Sequence, residues 1–148
     1  MLQLAPEHRT TLERLAAEAF PNECCGVLGG TAENGAKVVR AVVPIANQRR
    51  DAAHHRYAAP AESVREADRA LVAQGLEILG FFHSHPNAPA KPSAFDLEQA
   101  TWPWFSYLIV SAREGRAEEI TSWVLAEDRS RFVPESVLAP GVAHAPKD

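Results

Sequence analysis

Leu76-Glu77-Ile78-Leu79-Gly80-Phe81-Phe82-His83-Ser84-His85 runs into the stretch Pro86-Asn87-Ala88-Pro89-Ala90-Lys91-Pro92 and then into Ser93-Ala94-Phe95-Asp96. The dense apolar centre Ile78–Phe82 predicts a strand. The three prolines after it predict a loop. Ser93 is a good N-cap for a short helix running to about Thr101, because Pro103 disfavours helix in the residue before it. Residues two apart on a strand project to the same face, so the imidazoles of His83 and His85 can converge on one ion. Zinc in catalytic sites takes three protein ligands and leaves a fourth position for water. Asp96, in the first turn of the returning helix, is the candidate third ligand. The prolines reduce the entropy lost when the intervening loop is ordered.

Each piece also has a plain structural reading. A His-x-His pair is a weak motif by itself. Ser93-Ala94-Phe95-Asp96 reads as a capping box with Asp in place of Glu or Gln. The two roles are compatible, since a helix N-terminus is electropositive and suits negative charge developing near the Ser93 hydroxyl. A metal-bound water also needs a base. Glu23 is the candidate, standing just before the apolar run Cys25–Leu28, where a carboxylate is costly without a partner. From local sequence alone Glu23 reads first as a solvated helix-end glutamate.

Working outward, Pro6 suits a first helical turn, with Leu12, Leu15, Ala16 and Ala19 at helical spacing and Pro21 closing the helix. Cys25–Leu28 predicts a buried strand ended by a turn at Gly29-Gly30. Lys37–Ala46, Tyr107–Val110 and Ile120–Leu125 predict further strands, the last two joined by a turn at Arg113–Arg116. Asn47–Tyr57, with His54-His55, reads as a polar loop. Pro60 opens a second helix with Val64, Ala67, Leu71 and Val72 on one face and Gly75 as its stop. Trp102, Trp104 and Phe105 read first as core, with a substrate contact as the alternative. The expected fold is α/β of the α+β type: one mixed, mostly antiparallel sheet with two longer helices and one short one. The expected domain spans residues 1–133, followed by a loosely held Pro/Ala-rich tail over 134–148.

The 148 residues fit one domain with a core that needs no disulfide staples. The charge balance, 15 basic against 19 acidic residues, includes no basic stripe, so nothing points to nucleic acid. The apolar runs are too short to span a bilayer and the N-terminal residues lack a signal-peptide pattern, so the expected location is cytoplasmic. Cys24 and Cys25 are adjacent, and a bridge between strand neighbours would be strained, which suits a reducing compartment. Cys25 reads as a small buried hydrophobe rather than a nucleophile.

Glu23, His83-x-His85 and, after a seven-residue gap, Ser93-x-x-Asp96 match the signature E…H-[ST]-H-x7-S-x-x-D at every position. Pro21-x-Glu23-x-Cys25-Gly26-x-Leu28-x-Gly30 is similar to the first block of the same family. Over roughly residues 5 to 130 the chain resembles the small prokaryotic JAMM (MPN+, Mov34-like) metallopeptidases. The resemblance implies a cytidine-deaminase-like architecture and one zinc per chain with a catalytic water. It implies His83, His85 and Asp96 as zinc ligands, Glu23 as the base holding that water and Ser93 as an oxyanion donor. It also implies hydrolysis of a peptide or isopeptide bond after the Gly-Gly tail of a ubiquitin-like or sulfur-carrier protein. A non-enzymatic MPN-type interaction module and a zinc amidase acting on small molecules are the competing functions. The oligomeric state, the released group and the physiological substrate are not legible in the sequence.

Overall fold

The computed structural model describes residues 1–46 and 59–140. Elements follow in the order β1 (Leu2–Gln3), α1 (Pro6–Ala19), β2 (Cys25–Glu33), β3 (Ala36–Ile45), α2 (Ala61–Ala73), β4 (Glu77–Pro86), α3 (Ala94–Gln99), β5 (Ser106–Arg113), β6 (Arg116–Leu125), β7 (Phe132–Glu135) and β8 (Val137–Leu138). The strands form one sheet in the order β7-β6-β5-β4-β2-β3-β1-β8. Pairs β2–β3, β2–β4, β5–β6 and β6–β7 are antiparallel. Pairs β4–β5, β1–β3 and β1–β8 are parallel. The sheet is therefore mixed and mostly antiparallel, with two longer helices and one short one, as the sequence predicts.

Alternation along the strands divides the core. Leu28, Phe82, Leu108 and Val110 pack with Leu12 and Ala16 of α1. Val27 on β2 packs with Ala67 and Leu71 of α2. Leu12 and Phe82 are fully buried, and each such side chain contributes about 1.5–3 kcal/mol of transfer free energy. Leu12–Ala16 and Ala67–Leu71 are i,i+4 pairs and so form one stripe on each helix. Val72, expected on the buried face of α2, is 61% exposed instead. At 100° per residue it lies well off the Ala67–Leu71 stripe.

Three further sequence expectations need correction. Gly29-Gly30 is not a turn: both residues lie inside β2, at register shifts toward β4 and β3. The absence of a side chain at Gly29 admits Leu71 of α2, which a Cβ there would strike. The hairpin turn comes later, at Asn34-Gly35, with φ of 51° and 78°, the positive pair that a tight two-residue hairpin requires. Helix α3 stops at Gln99 rather than near Thr101. Finally, the stretch beginning at Pro134 is not loosely held as far as Leu138. Pro134 pairs with Trp123 in β6, and Val137–Leu138 pairs with Leu2–Gln3. Backbone hydrogen bonds from Leu2 N to Ser136 O and from Leu4 N to Leu138 O fasten this segment. His54-His55, and the tail from residue 141, lie outside the described residues.

Candidate metal centre

His83 and His85 stand at the C-terminal end of β4, on the face that carries Phe81 and, across the pair with β2, Val27 and Cys25. This is the face covered by α2 and α3. Parallel pairing with β5 anchors the strand end through Ser84↔Val110 and His85↔Ser111. The loop after Pro86 returns the chain to α3, whose first turn carries Asp96. Among the described residues, His83, His85 and Asp96 form a group able to hold a metal ion, with one ligand atom from each lying within 4.8 Å of the others. His83 Nε2 lies 3.0 Å from His85 Nε2 and 3.2 Å from Asp96 Oδ1, and His85 Nε2 lies 3.0 Å from Asp96 Oδ2. All three residues are buried.

The hydrogen bonds test whether this set suits a cation. His85 Nδ1 lies 3.0 Å from the carbonyl oxygen of Pro89. A carbonyl only accepts, so Nδ1 carries the proton and donates. In the neutral ring Nε2 is then a bare lone pair, and it faces a carboxylate oxygen at 3.0 Å. Two acceptors at that distance need a proton or a cation between them. For comparison, tetrahedral zinc with ligands at ~2.0–2.1 Å separates its donor atoms by about 3.3 Å. The donor set, two imidazoles and a carboxylate, fits a zinc-type ion.

The electrostatics reflect the same crowding. Burial is the largest influence on His83 and lowers its pKa despite Asp96. Burial acts to lower that of His85 too, but the bonds to Asp96 and Pro89 and the charges of Asp96 and Glu23 outweigh it and raise it. Burial acts to raise Asp96, yet the two imidazoles hold its carboxyl well below the usual carboxylate range. Glu23 is 6% exposed, and its charge acts on His85, which places it beside the group.

Ser84 explains how Glu23 gets there. Its Oγ accepts from Cys24 N at 2.8 Å, and its backbone N–H donates to Cys24 O. The residue between the two histidines thus binds the backbone next to Glu23. The sequence reading passed over Ser84. Its only signal was the small hydroxyl residue at the middle of the His-x-His motif.

Ser93 builds the capping box expected of it. Its Oγ accepts from Asp96 N at 3.0 Å, while Ser93 N donates to Asp96 Oδ2 at 2.8 Å. That second bond orients the Asp96 carboxylate. Cys25 lines the same face without joining the group. Burial above all pushes its thiol up to about 12, with Cys24 and Glu23 adding to the effect, so it is a poor nucleophile. A cleft of ≈ 380 Å³, not lined by the metal group itself, opens on the same face of the sheet among Cys25, Arg65, Phe81, Gln99, Trp102 and Tyr107. Trp102 and Trp104 are 40% and 65% exposed, so they are not core. Phe81 stacks on Phe105 at 6.2 Å and contacts Trp102 at 5.1 Å, which ties the aromatic group to the ligand-bearing strand.

Residues 6–126 match the family described as prokaryotic homologs of the JAB domain. The chain belongs to this prokaryotic JAB family. It is similar to a desampylase from Haloferax volcanii, at 38% identity over 117 residues that cover 74% of this chain and 80% of that protein. It is also similar to a CysO-cysteine peptidase from Mycobacterium tuberculosis, at 27% identity over 128 residues, 83% of this chain and 82% of that protein. In fold it is similar to a JAB1/MPN domain protein from Archaeoglobus fulgidus, with a TM-score of 0.59 at 18% identity over 93% of this chain and 97% of that one. The Haloferax and Mycobacterium relatives are named as a desampylase and a peptidase, and in this chain the fold carries the buried His/His/Asp group described above. No helix among the described residues is long and apolar enough to cross a membrane.

Proposed function

We propose that this JAB-family chain is a zinc-dependent peptidase that cleaves after the C-terminal Gly-Gly tail of a ubiquitin-like or sulfur-carrier protein. The observation that carries the reading is the convergence of His83, His85 and Asp96 within 4.8 Å, buried, with Glu23 beside them. His83 Nε2, His85 Nε2 and the Asp96 carboxylate would hold one zinc ion. When bound, zinc acidifies a water ligand to a pKa of ~7 and polarises a peptide carbonyl. Pro89 keeps the His85 proton on Nδ1 and so leaves Nε2 available. Glu23 takes a proton at its carboxylate and delivers it to the leaving amine. Ser93 Oγ accepts from Asp96 N, which leaves its own hydrogen to donate to the developing oxyanion.

The relatives' names, a desampylase and a CysO-cysteine peptidase, support a protein-conjugate substrate over a small amide. Side chains beside the scissile carbonyl would crowd the Pro86–Pro92 loop, and glycines avoid this. Two glycines offer few contacts, so a folded carrier body supplies most of the affinity. The test compares kcat/KM for a ubiquitin-like carrier extended beyond its Gly-Gly with that for a short peptide of the same tail, reading the cut by mass. Cleavage of the fusion after the second glycine, far more efficient than of the peptide, is expected. Equal efficiency on both would sink the carrier substrate.

A further inference from the structure

One cross-strand row runs through the site. Cys25 on β2 pairs with His83 on β4, His83 with Ile109 on β5, and Ile109 with Thr121 on β6. Paired residues on adjacent strands share a face of the sheet. Thr121 therefore stands on the same face as His83, two strands away. The chain between β4 and α3 folds back over this face, and Ala90 at its centre is fully buried. Thr121 Oγ1 donates to the carbonyl oxygen of Ala90 at 2.6 Å. Its hydroxyl is oriented from the other side, because Trp123 Nε1 donates to Thr121 Oγ1 at 2.9 Å. The indole can only donate and the carbonyl can only accept, so the direction of the relay is fixed. The residue before Ala90 is Pro89, whose carbonyl takes the Nδ1 proton of His85.

The geometry points to Thr121 as a positioning residue for the metal centre, acting through the Pro89–Ala90 segment to hold His85 with Nε2 toward the ion. It rests on the zinc reading above. Asn87 fixes the start of the loop, its N–H donating to Ala112 O and its Oδ1 accepting from Glu114 N, and the Lys91 N–H donates to the Pro89 carbonyl from within the loop. Its two ends are set by β4 and by the capping box at Ser93, and the Thr121 bond pins the middle. Remove the hydroxyl and the Pro89–Ala90 segment loses its bond to β6, so the Pro89 carbonyl, with Lys91 N moving alongside it in the same loop, can shift from His85 Nδ1. The ring can then rotate or change tautomer, and the cost falls on metal binding. Partners of this kind behind a ligating histidine change metal affinity by ~10–100-fold, and Thr121 acts one bond further out, at the lower end of that range.

The test uses the full chain with Thr121→Val, which keeps the shape and removes the hydroxyl, and Thr121→Ser, which keeps the hydroxyl. Zinc affinity is measured by chelator competition, and the cobalt(II)-loaded proteins are compared by visible absorption. Thr121→Val should bind zinc about tenfold more weakly and alter the cobalt spectrum, while Thr121→Ser should match the parent chain in both. A Thr121→Val protein that melts earlier but keeps parental zinc affinity and an unchanged cobalt spectrum would show a merely structural residue and overturn the proposal alone. Failure of the parent chain itself to bind zinc would overturn the metal reading together with it.

Discussion

At Glu135 a buried carboxylate is surrounded by donors: its Oε1 accepts from Ser106 Oγ at 2.7 Å and from Ser122 Oγ at 2.8 Å. Lys37 Nζ donates to the same Ser106 Oγ at 2.8 Å and to the Trp104 carbonyl at 2.6 Å. Burial lowers the Lys37 pKa, and the charge of Glu135 acts against that shift. At Asp96 the carboxylate also has donors from its own helix start, but it shares its pocket with imidazole nitrogens aimed at a common point. The first cluster joins β3, β5, β6 and β7 and is complete in itself. The second is arranged around something the chain does not supply. Burying polar groups is costly unless they are matched. A cluster matched internally serves the fold, and a cluster matched only by an added cation serves chemistry.

That contrast can be broken at either end. The largest effect is expected from Asp96→Ala, which should lose the zinc, so that added zinc no longer raises the melting temperature as it does for the parent chain. Retention of full zinc would remove the proposed centre. Glu23→Gln should keep both fold and metal while kcat falls by ~10²–10⁴, because an amide cannot take the proton. Near-normal turnover would make Glu23 a structural residue. Ser93→Ala removes a helix cap and the proposed oxyanion donor together. It should lower kcat by ~10²–10³ with little change in KM, and cost about 1 kcal/mol of stability; a loss confined to stability would leave only the cap. Glu135→Ala should behave in the opposite sense. Stranding its buried donors costs ~1–3 kcal/mol, visible as a melting temperature lower by roughly 5 °C, with zinc affinity unchanged. A fall in zinc affinity there would show that the two clusters are coupled.

The sequence made the second cluster easier to find than the first. His83, His85, Ser93 and Asp96 lie within one strand-loop-helix segment, so strand alternation and a capping pattern are enough to bring them together. Glu23 is distant in sequence, and only the family signature linked it to them. Lys37, Ser106, Ser122 and Glu135 come from four strands, and no local pattern relates them. The strands β1, β7 and β8 were missed for a similar reason. Two to four residues with no clear alternation form strands only because the neighbouring edges accept them. Gly29-Gly30 was misread because a glycine pair signals a turn and close packing equally well, and the contact with Leu71 that decides between them depends on where α2 docks. Ser84 and Thr121 are ordinary polar residues until one sees which backbone groups pass beside them.

The joining of β7 to β8 through Ser136 bears on self-association. Among the described residues, the outermost strands of the sheet are these two, of four and two residues, and they are consecutive in the chain. A long, regular edge is a template onto which another copy can add a strand, the first step toward sheet-to-sheet aggregation. Here the two outermost strands are too short to make a useful template, and Pro134 withholds a donor from one of them; β7 covers only Ser122–Leu125 of β6, and β1 only Lys37 and Val38 of β3. The long strands β4 and β5, which carry the apolar runs Ile78–Phe82 and Tyr107–Val110, are enclosed between partners. The segment 132–138 thus closes the sheet to such pairing at Ser122–Leu125 of β6 and at Leu2–Gln3 of β1.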